Sequence, residues 1–214
     1  MPKASEKISF VTARASQSNE CAMLIYSSGM EMFEFSFGKF AETAPALTSP
    51  SVALDFITFA FSHGYGFASY RLHTVAVVGG EVAGIGAIYR KNQLWSLTAQ
   101  EFFAISRFFG IRRLMPIWRR CNKVGEVISQ QRHNEAYLAN FAVSPKFRRQ
   151  GIGRALARNL IAQAQDRSAL LIDVVVDNTP AYRLYKSLGF QSCGKRLEAK
   201  TSGIPDTQPM RLDF

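Results

Sequence analysis

Hydrophobic and polar positions change period several times along the chain. From Ile8 to Thr12 they alternate weakly, which predicts a short first strand. Between Ala15 and Met32 apolar residues such as Ala22, Ile25 and Met30 return at helical spacing. "AETAPALTSPS", Ala41 to Ser51, is rich in Pro, Ser and Thr and reads as a loop, and Val52 to Phe61 as an apolar helix. "HTVAVV" and "EVAGIGAIYR" flank Gly79 and Gly80, the pattern of an antiparallel hairpin. Gly84 and Gly86 inside the second run predict a bulge or a close backbone approach.

Leu97 to Gln131 combines helical spacing with five arginines and predicts two short helices broken near Gly110 and Pro116. It reads equally well as the wall of a substrate site or as a peripheral elaboration. From Tyr137 the pattern is regular. "YLANFAV" is a strand and "SPKFRRQGIG" a turn. Arg154 to Gln165 is a helix with Ala157, Ile161 and Ala164 on one stripe. Ala169 to Val176 is a nearly unbroken apolar strand of the kind buried in a parallel pair. "DNTPAYRLYKSLGF" is a second helix, capped by Asn178 or Thr179 and ended by Gly189. Strand, helix, strand, helix implies a right-handed crossover. Gln191 to Lys200 and Gln208 to Leu212 are candidate closing strands.

The 214 residues suit one domain, 1–214, elaborated by the helical insertion at about 94–131. With 47% hydrophobic residues the chain can bury a core. A net charge of +10 suits an anionic partner, whether nucleic acid, membrane surface or phosphorylated cofactor. Cys21, Cys121 and Cys193 are scattered, without a disulfide framework or metal spacing, so no metal is expected. No apolar run reaches the ~20 residues of a membrane span, and the first ten residues lack a signal-peptide core. The expected location is cytoplasmic.

Gly151 and Gly153 stand between a strand and a helix, where glycine permits positive φ and close approach of a ligand. Amides at the helix start, with the positive end of its dipole, attract an anion. Lys146, Arg148, Arg149, Arg154 and Arg158 surround the spot. A Walker loop does not fit, because Arg154 and Ala155 follow Gly153. A dinucleotide fingerprint fails because Leu156 stands where its third glycine belongs.

Arg148-x-x-Gly151-x-Gly153, preceded by "FAVSP" and followed by an apolar helix, resembles motif A of the GNAT acetyltransferase superfamily. "DN..AYRLYKSLGF" resembles the same family's downstream motif, with Asn178, Ala181, Leu184, Tyr185, Gly189 and Phe190 in register. The resemblance covers Leu138 to Phe190 closely and the hairpin loosely. It implies an α/β fold whose mixed, mostly antiparallel sheet has a V-shaped splay between strands 4 and 5. Helices lie on both faces, with the insertion between strands 3 and 4.

The resemblance also implies acetyl-CoA as cofactor and transfer of its acetyl group to a primary amine by direct attack in a ternary complex. Arg148, Arg149, Gln150, Gly151, Ile152, Gly153 and Arg154 would hold the pyrophosphate, mostly through backbone amides. Phe141, Ala142 and Val143 would hold the pantetheine arm as an added strand, with the Ala142 or Val143 amide on the thioester oxygen. Asn178 would touch the same arm while capping its helix. Tyr185 would protonate the departing thiolate. Asp173, which interrupts "LLIDVVV", matches a position where some members carry a base; Glu135 competes with it, ordered water serves many members, and His133 and Glu126 are weaker candidates. The alternative is a non-catalytic acyl-CoA-binding or regulatory module. The arginines at the turn are absorbed by the cofactor, so neither nucleic acid nor membrane is an expected partner; a homodimer is left open. The acceptor, small molecule or protein, would meet Met30 to Phe40, "FSHGYGFASYR" and Leu94 to Gln131, where a basic wall favours an acidic substrate over a polycation.

Overall fold

The computed structural model describes residues 7–43 and 51–214. Most of the loop expected at Ala41–Ser51 lies outside them. Among the described residues the strands form one open sheet in the order β1-β2-β3-β4-β5-β7-β6. They are β1 (Ser9–Thr12), β2 (His73–Val78), β3 (Glu81–Arg90), β4 (Glu135–Val143), β5 (Ala169–Val175), β6 (Gln191–Ser192) and β7 (Thr207–Asp213). Only β4 and β5 pair in parallel; the other described neighbours are antiparallel. The expected closing strand at Gln191–Lys200 shrinks to the two residues of β6.

The helical spacing from Ala15 is split. A 3-10 turn leads into α1 (Ser18–Ser28), which ends at Gly29 before α2 (Met30–Phe37). Then come α3 (Val52–His63), α4 (Leu94–Phe109), α5 (Ile111–Gly125), α6 (Ile152–Gln163) and α7 (Thr179–Lys186). The break inside the insertion falls at Gly110, whose φ of 83° is costly for a residue with a side chain. It does not fall at Pro116, which sits inside α5. Proline there forfeits one helical hydrogen bond, but its ring faces solvent while Ile117 and Val124 anchor the opposite side of the helix.

Side-chain alternation along the strands sends alternate residues to opposite faces. Val75 and Ile85 pack with α1, α3, α4 and α5, including fully buried Ile25, Phe56, Phe61, Ile105 and Ile117. Ile88, Leu138, Ile172 and Val174 pack on the other face with Leu156 and Leu160 of α6 and Tyr185 of α7. The insertion therefore contributes side chains to the main core and is no peripheral elaboration.

Gly84 and Gly86 show why β3 carries glycine. A Cβ on Gly86 would lie 2.6 Å from Leu160 and 3.3 Å from Phe141; one on Gly84 would lie 3.0 Å from the Ala142 carbonyl. Both the close approach and register shifts are present, the latter on each side of β3.

A candidate active site between two parting strands

Strands β4 and β5 pair only from Glu135↔Ala169 to Tyr137↔Leu171, although they continue to Val143 and Val175. Beyond Tyr137, β4 follows β3 and β5 follows β7, so the sheet opens as a V. A bulge helps to turn β4 away. Asn140 and Phe141 face the single residue Gly86, and Asn140 adopts a φ of 52°. The backbone of Leu138–Val143 and Ile172–Val175 thus lines a slot with an unpaired edge on each side.

The register decides which amides enter that slot. Ser144 donates its N–H to the Ala83 carbonyl at 2.9 Å. Antiparallel partners alternate between hydrogen-bonded and non-hydrogen-bonded pairs. Ala142, opposite Ile85, therefore faces β3, and Val143, opposite Gly84, turns its amide outward. The Val143 carbonyl likewise points away from β3 and accepts from Arg148 Nε at 3.2 Å. Of the two amides expected to serve the thioester oxygen, Val143 has the right orientation and Ala142 does not.

At the wide end of the slot the chain makes a 3-10 turn at Pro145–Phe147 and enters α6 two residues earlier than the spacing suggested. Arg149 (φ 63°) and Gly151 (φ 79°) produce the turn. Gly151 is the N-cap, and no side chain caps the helix, so the first-turn amides of α6 are open. Arg148 to Gly151 and Arg154 are exposed, while Ile152 is buried and anchors the turn. Among the described residues Arg148, Arg149, Arg154 and Arg158 have no ion pair; Lys146 is engaged by Glu81 at 2.5 Å. A Cβ on Gly151 would meet nothing. An uncapped helix start, four guanidiniums without a recorded ion pair and a slot with unpaired edges fit a long ligand with an anionic head.

Tyr185 of α7 closes the inner end of the slot. It is 3% exposed, with its ring edge-on to Phe141 (5.8 Å) and Phe190 (5.5 Å). Burial raises its phenol above the ordinary range, so it stays protonated. Asn178 is the N-cap of α7, its side chain accepting from the Ala181 amide at 3.2 Å, and it also lines the slot.

The slot continues into a cleft of about 600 Å³. Met32, Phe33 and Phe37 of α2, Phe67, and Leu94 and Trp118 of the insertion form its apolar walls. Thus the three segments expected to meet the acceptor all reach it. The expected basic wall is absent. The insertion's arginines do not line the cleft: Arg107, Arg112, Arg113 and Arg119 face solvent, and Arg120 donates to the Phe35 carbonyl. Lys91 is the one basic lining residue among those described, and Glu101 and Asp173 are the carboxylates.

These two carboxylates differ. Asp173 accepts from the Ser129 amide (2.6 Å), the Ser129 hydroxyl (2.5 Å) and the Tyr137 hydroxyl (2.9 Å). It ties the exit of α5 to β5. Among the described residues Glu101, on α4, accepts only from the Phe67 amide, at 3.1 Å. It keeps some exposure to the cleft, yet the surrounding protein removes most of its water, and burial pushes its carboxyl up to about 7 against that one amide. The carbonyl of Phe67, in the next peptide unit, accepts from the Tyr89 hydroxyl at 2.6 Å. Asn140, in the bulge, donates to Tyr89 Oη (2.8 Å) and His73 Nε2 (3.0 Å). Burial lowers the His73 imidazole to about 4, and its Nδ1 donates to the Ser69 carbonyl at 2.8 Å.

Glu135 lies outside the cleft. Burial would raise its carboxyl, but the Arg132 amide and Arg211 outweigh it and hold it low. His133 and Glu126 are exposed and do not line the cleft. The sequence reading missed Glu101, Asn140, Tyr89 and His73. The one local signal among them is Asn140, a residue type that tolerates positive φ, directly before "FAV".

The acetyltransferase (GNAT) family model matches residues 42–190. The chain is 45% identical over 65 residues to the ribosomal protein bS18-alanine N-acetyltransferase of Escherichia coli (strain K12), covering 29% of this chain and 44% of that one. It is 33% identical over 95 residues to N-acetylaspartate synthetase of Danio rerio, covering 42% and 34%. The chain therefore matches less than half the length of these relatives. An N-acetyltransferase structure from Staphylococcus aureus Mu50 superposes with a TM-score of 0.70 at 17% identity, over 95% of this chain and 100% of that one.

Proposed function

This chain belongs to the acetyltransferase (GNAT) family, and from that premise we propose that it transfers an acetyl group from acetyl-CoA to a primary amine. The observation that carries the reading is the V between β4 and β5, with an uncapped, arginine-ringed helix start at its mouth and Tyr185 at its inner end. The open amides of α6, with Arg149 and Arg154, hold the pyrophosphate. The slot edges hold the pantetheine arm as a missing strand.

The chemistry follows from what each group faces. The Val143 amide donates to the thioester oxygen, where negative charge builds as the amine attacks. As the new C–N bond forms and the C–S bond breaks, Tyr185 supplies a proton to the sulfur. Burial keeps the phenol protonated, so its proton is in place as the C–S bond breaks, and the phenolate is reprotonated by the N–H that the nitrogen sheds as it becomes the amide. The Phe141 and Phe190 rings fix its direction.

The curated relatives act on different acceptors by name, bS18 alanine in one case and N-acetylaspartate synthesis in the other. The acceptor of this chain is better read from its own cleft, which has apolar walls, two carboxylates and one lysine. That lining suits a cationic amine rather than an acidic one. Three free cysteines and the named acetyl donor fit work in the cytoplasm. No helix among the described residues is long and apolar enough to cross a membrane.

The test combines titration calorimetry of acetyl-CoA with a turnover screen across primary amines. Saturable binding and amine-dependent release of free thiol are expected. Arg149→Gln with Arg154→Gln should weaken binding at least tenfold and flatten its salt dependence. Unchanged affinity in that variant refutes the pyrophosphate placement, and a wild-type protein that neither binds nor turns over refutes the function.

A further inference from the structure

The cleft holds a carboxylate without a counter-ion. Among the described residues Glu101 has no ion pair, and its single recorded hydrogen bond comes from the Phe67 amide. A charge taken out of water is retained at a cost unless a partner offsets it. The fold nevertheless goes to some length to hold it there. A Cβ on Gly66 would lie 1.9 Å from Glu101 Oε2, and Gly66 itself adopts a φ of 56°, so the turn is shaped around the carboxylate.

The main chain of Phe67 bridges this carboxylate to the reacting end of the slot. Its N–H binds Glu101, and its carbonyl binds Tyr89, which in turn holds Asn140 in the β4 bulge. The surrounding titratable groups do not neutralise Glu101. Tyr89 on β3 and Cys121 on α5 feel its charge, and burial keeps both protonated, the thiol pushed up to about 12. Tyr137 on β4 is held protonated by burial and by Asp173, and Tyr185 on α7 by burial. Lys91, in the turn before α4, is the remaining cleft cation and forms no ion pair with Glu101. Asp173 already accepts three hydrogen bonds, from the Ser129 amide and hydroxyl and from the Tyr137 hydroxyl, which hold it in place between the insertion and β4.

We propose that Glu101, carried into the cleft by the insertion, receives the ammonium of the acceptor and takes its proton, and that the cleft selects a primary amine borne beside an apolar group. The inference rests on the acetyltransferase reading above. In the step, an N–H bond of the ammonium breaks and its electron pair stays on nitrogen. The proton passes to a Glu101 oxygen, directly or across one water, and leaves to solvent through the cleft mouth after turnover. Asp173 then has a separate task, tethering Ser129 and the exit of the insertion. Phe33, Phe67 and Trp118 supply the apolar surface beside the ammonium.

The probes are 2-phenylethylamine, which is cationic at neutral pH, and its neutral isostere 2-phenylethanol. With the protein saturated by CoA and held above pH 7, the amine should bind at least tenfold more tightly than the alcohol. Glu101→Gln should abolish that preference while leaving acetyl-CoA affinity unchanged. With 2-phenylethylamine as acceptor, kcat/KM of the wild type should fall as pH drops below about 7, and this limb should vanish in the variant. A wild type that binds CoA but shows no preference for the amine, or a variant that retains the preference, overturns the role of Glu101 alone. Loss of CoA binding in the wild type overturns the acetyltransferase reading instead.

Discussion

Replacing Glu101 by Gln should stabilise the protein, and only above a certain pH. The glutamine oxygen can still accept the Phe67 N–H, so the change removes charge and little else. Burial raises the Glu101 carboxyl from 4.5 to about 7 on folding. The native state therefore holds more protons than the unfolded state between those values, and stability falls as pH climbs through them. That gap, at about 1.4 kcal/mol per pH unit, is roughly 3 kcal/mol. His73 works in the opposite direction. Burial lowers its imidazole from 6.5 to about 4, so its contribution is present above 6.5 and lost as pH falls toward 4, again by roughly 3 kcal/mol. In the wild type these two slopes oppose each other. In Glu101→Gln only the His73 slope remains. Urea denaturation from below pH 4.5 to above pH 7 separates the two at constant m-value. The variant should match the wild type at the acid end and exceed it by roughly 3 kcal/mol at the alkaline end. Equal stability above pH 7, or an offset independent of pH, would refute the claim that Glu101 is a desolvated carboxylate.

Other expected outcomes follow from single contacts. Tyr185→Phe should lower kcat by roughly 10²-fold or more with acetyl-CoA affinity intact; unchanged turnover across pH rules out the phenol as acid. Gly86→Ala forces a methyl within 2.6 Å of buried Leu160, and should cost about 1–3 kcal/mol in chemical denaturation; a neutral result would mean that α6 can move off β3. Asp173→Ala removes the acceptor of three hydrogen bonds, so amide exchange at Ser129 to Gln131 should accelerate. Unaltered protection there would show that the insertion is held elsewhere.

The parts legible in the sequence were those whose signal is local. Gly151 and Gly153 between strand and helix, and the capped α7 with Tyr185 in register, needed no information from elsewhere in the chain. Glu101 was invisible because its meaning comes from Phe67, 34 residues away, and on α4 it reads like any polar helix position. The arginines of α5 were assigned to a wall although Ile117 and Val124, seven residues apart, already marked the buried side of that helix. Pro116 was overvalued as a breaker because proline's cost is fixed locally, while the packing that offsets it is not.

The gap between β4 and β5 also bears on how folded the protein is in a cell. Two rows of main-chain groups lie inside the sheet without a strand to join them, and acetyl-CoA, on the proposed reading, is that strand. A ligand bound only by the folded form stabilises it by mass action, by about 2.7 kcal/mol at a concentration 100 times its Kd. The lifetime of the chain would then follow the supply of its own substrate, with the empty protein the first to be opened and degraded when acetyl-CoA runs low.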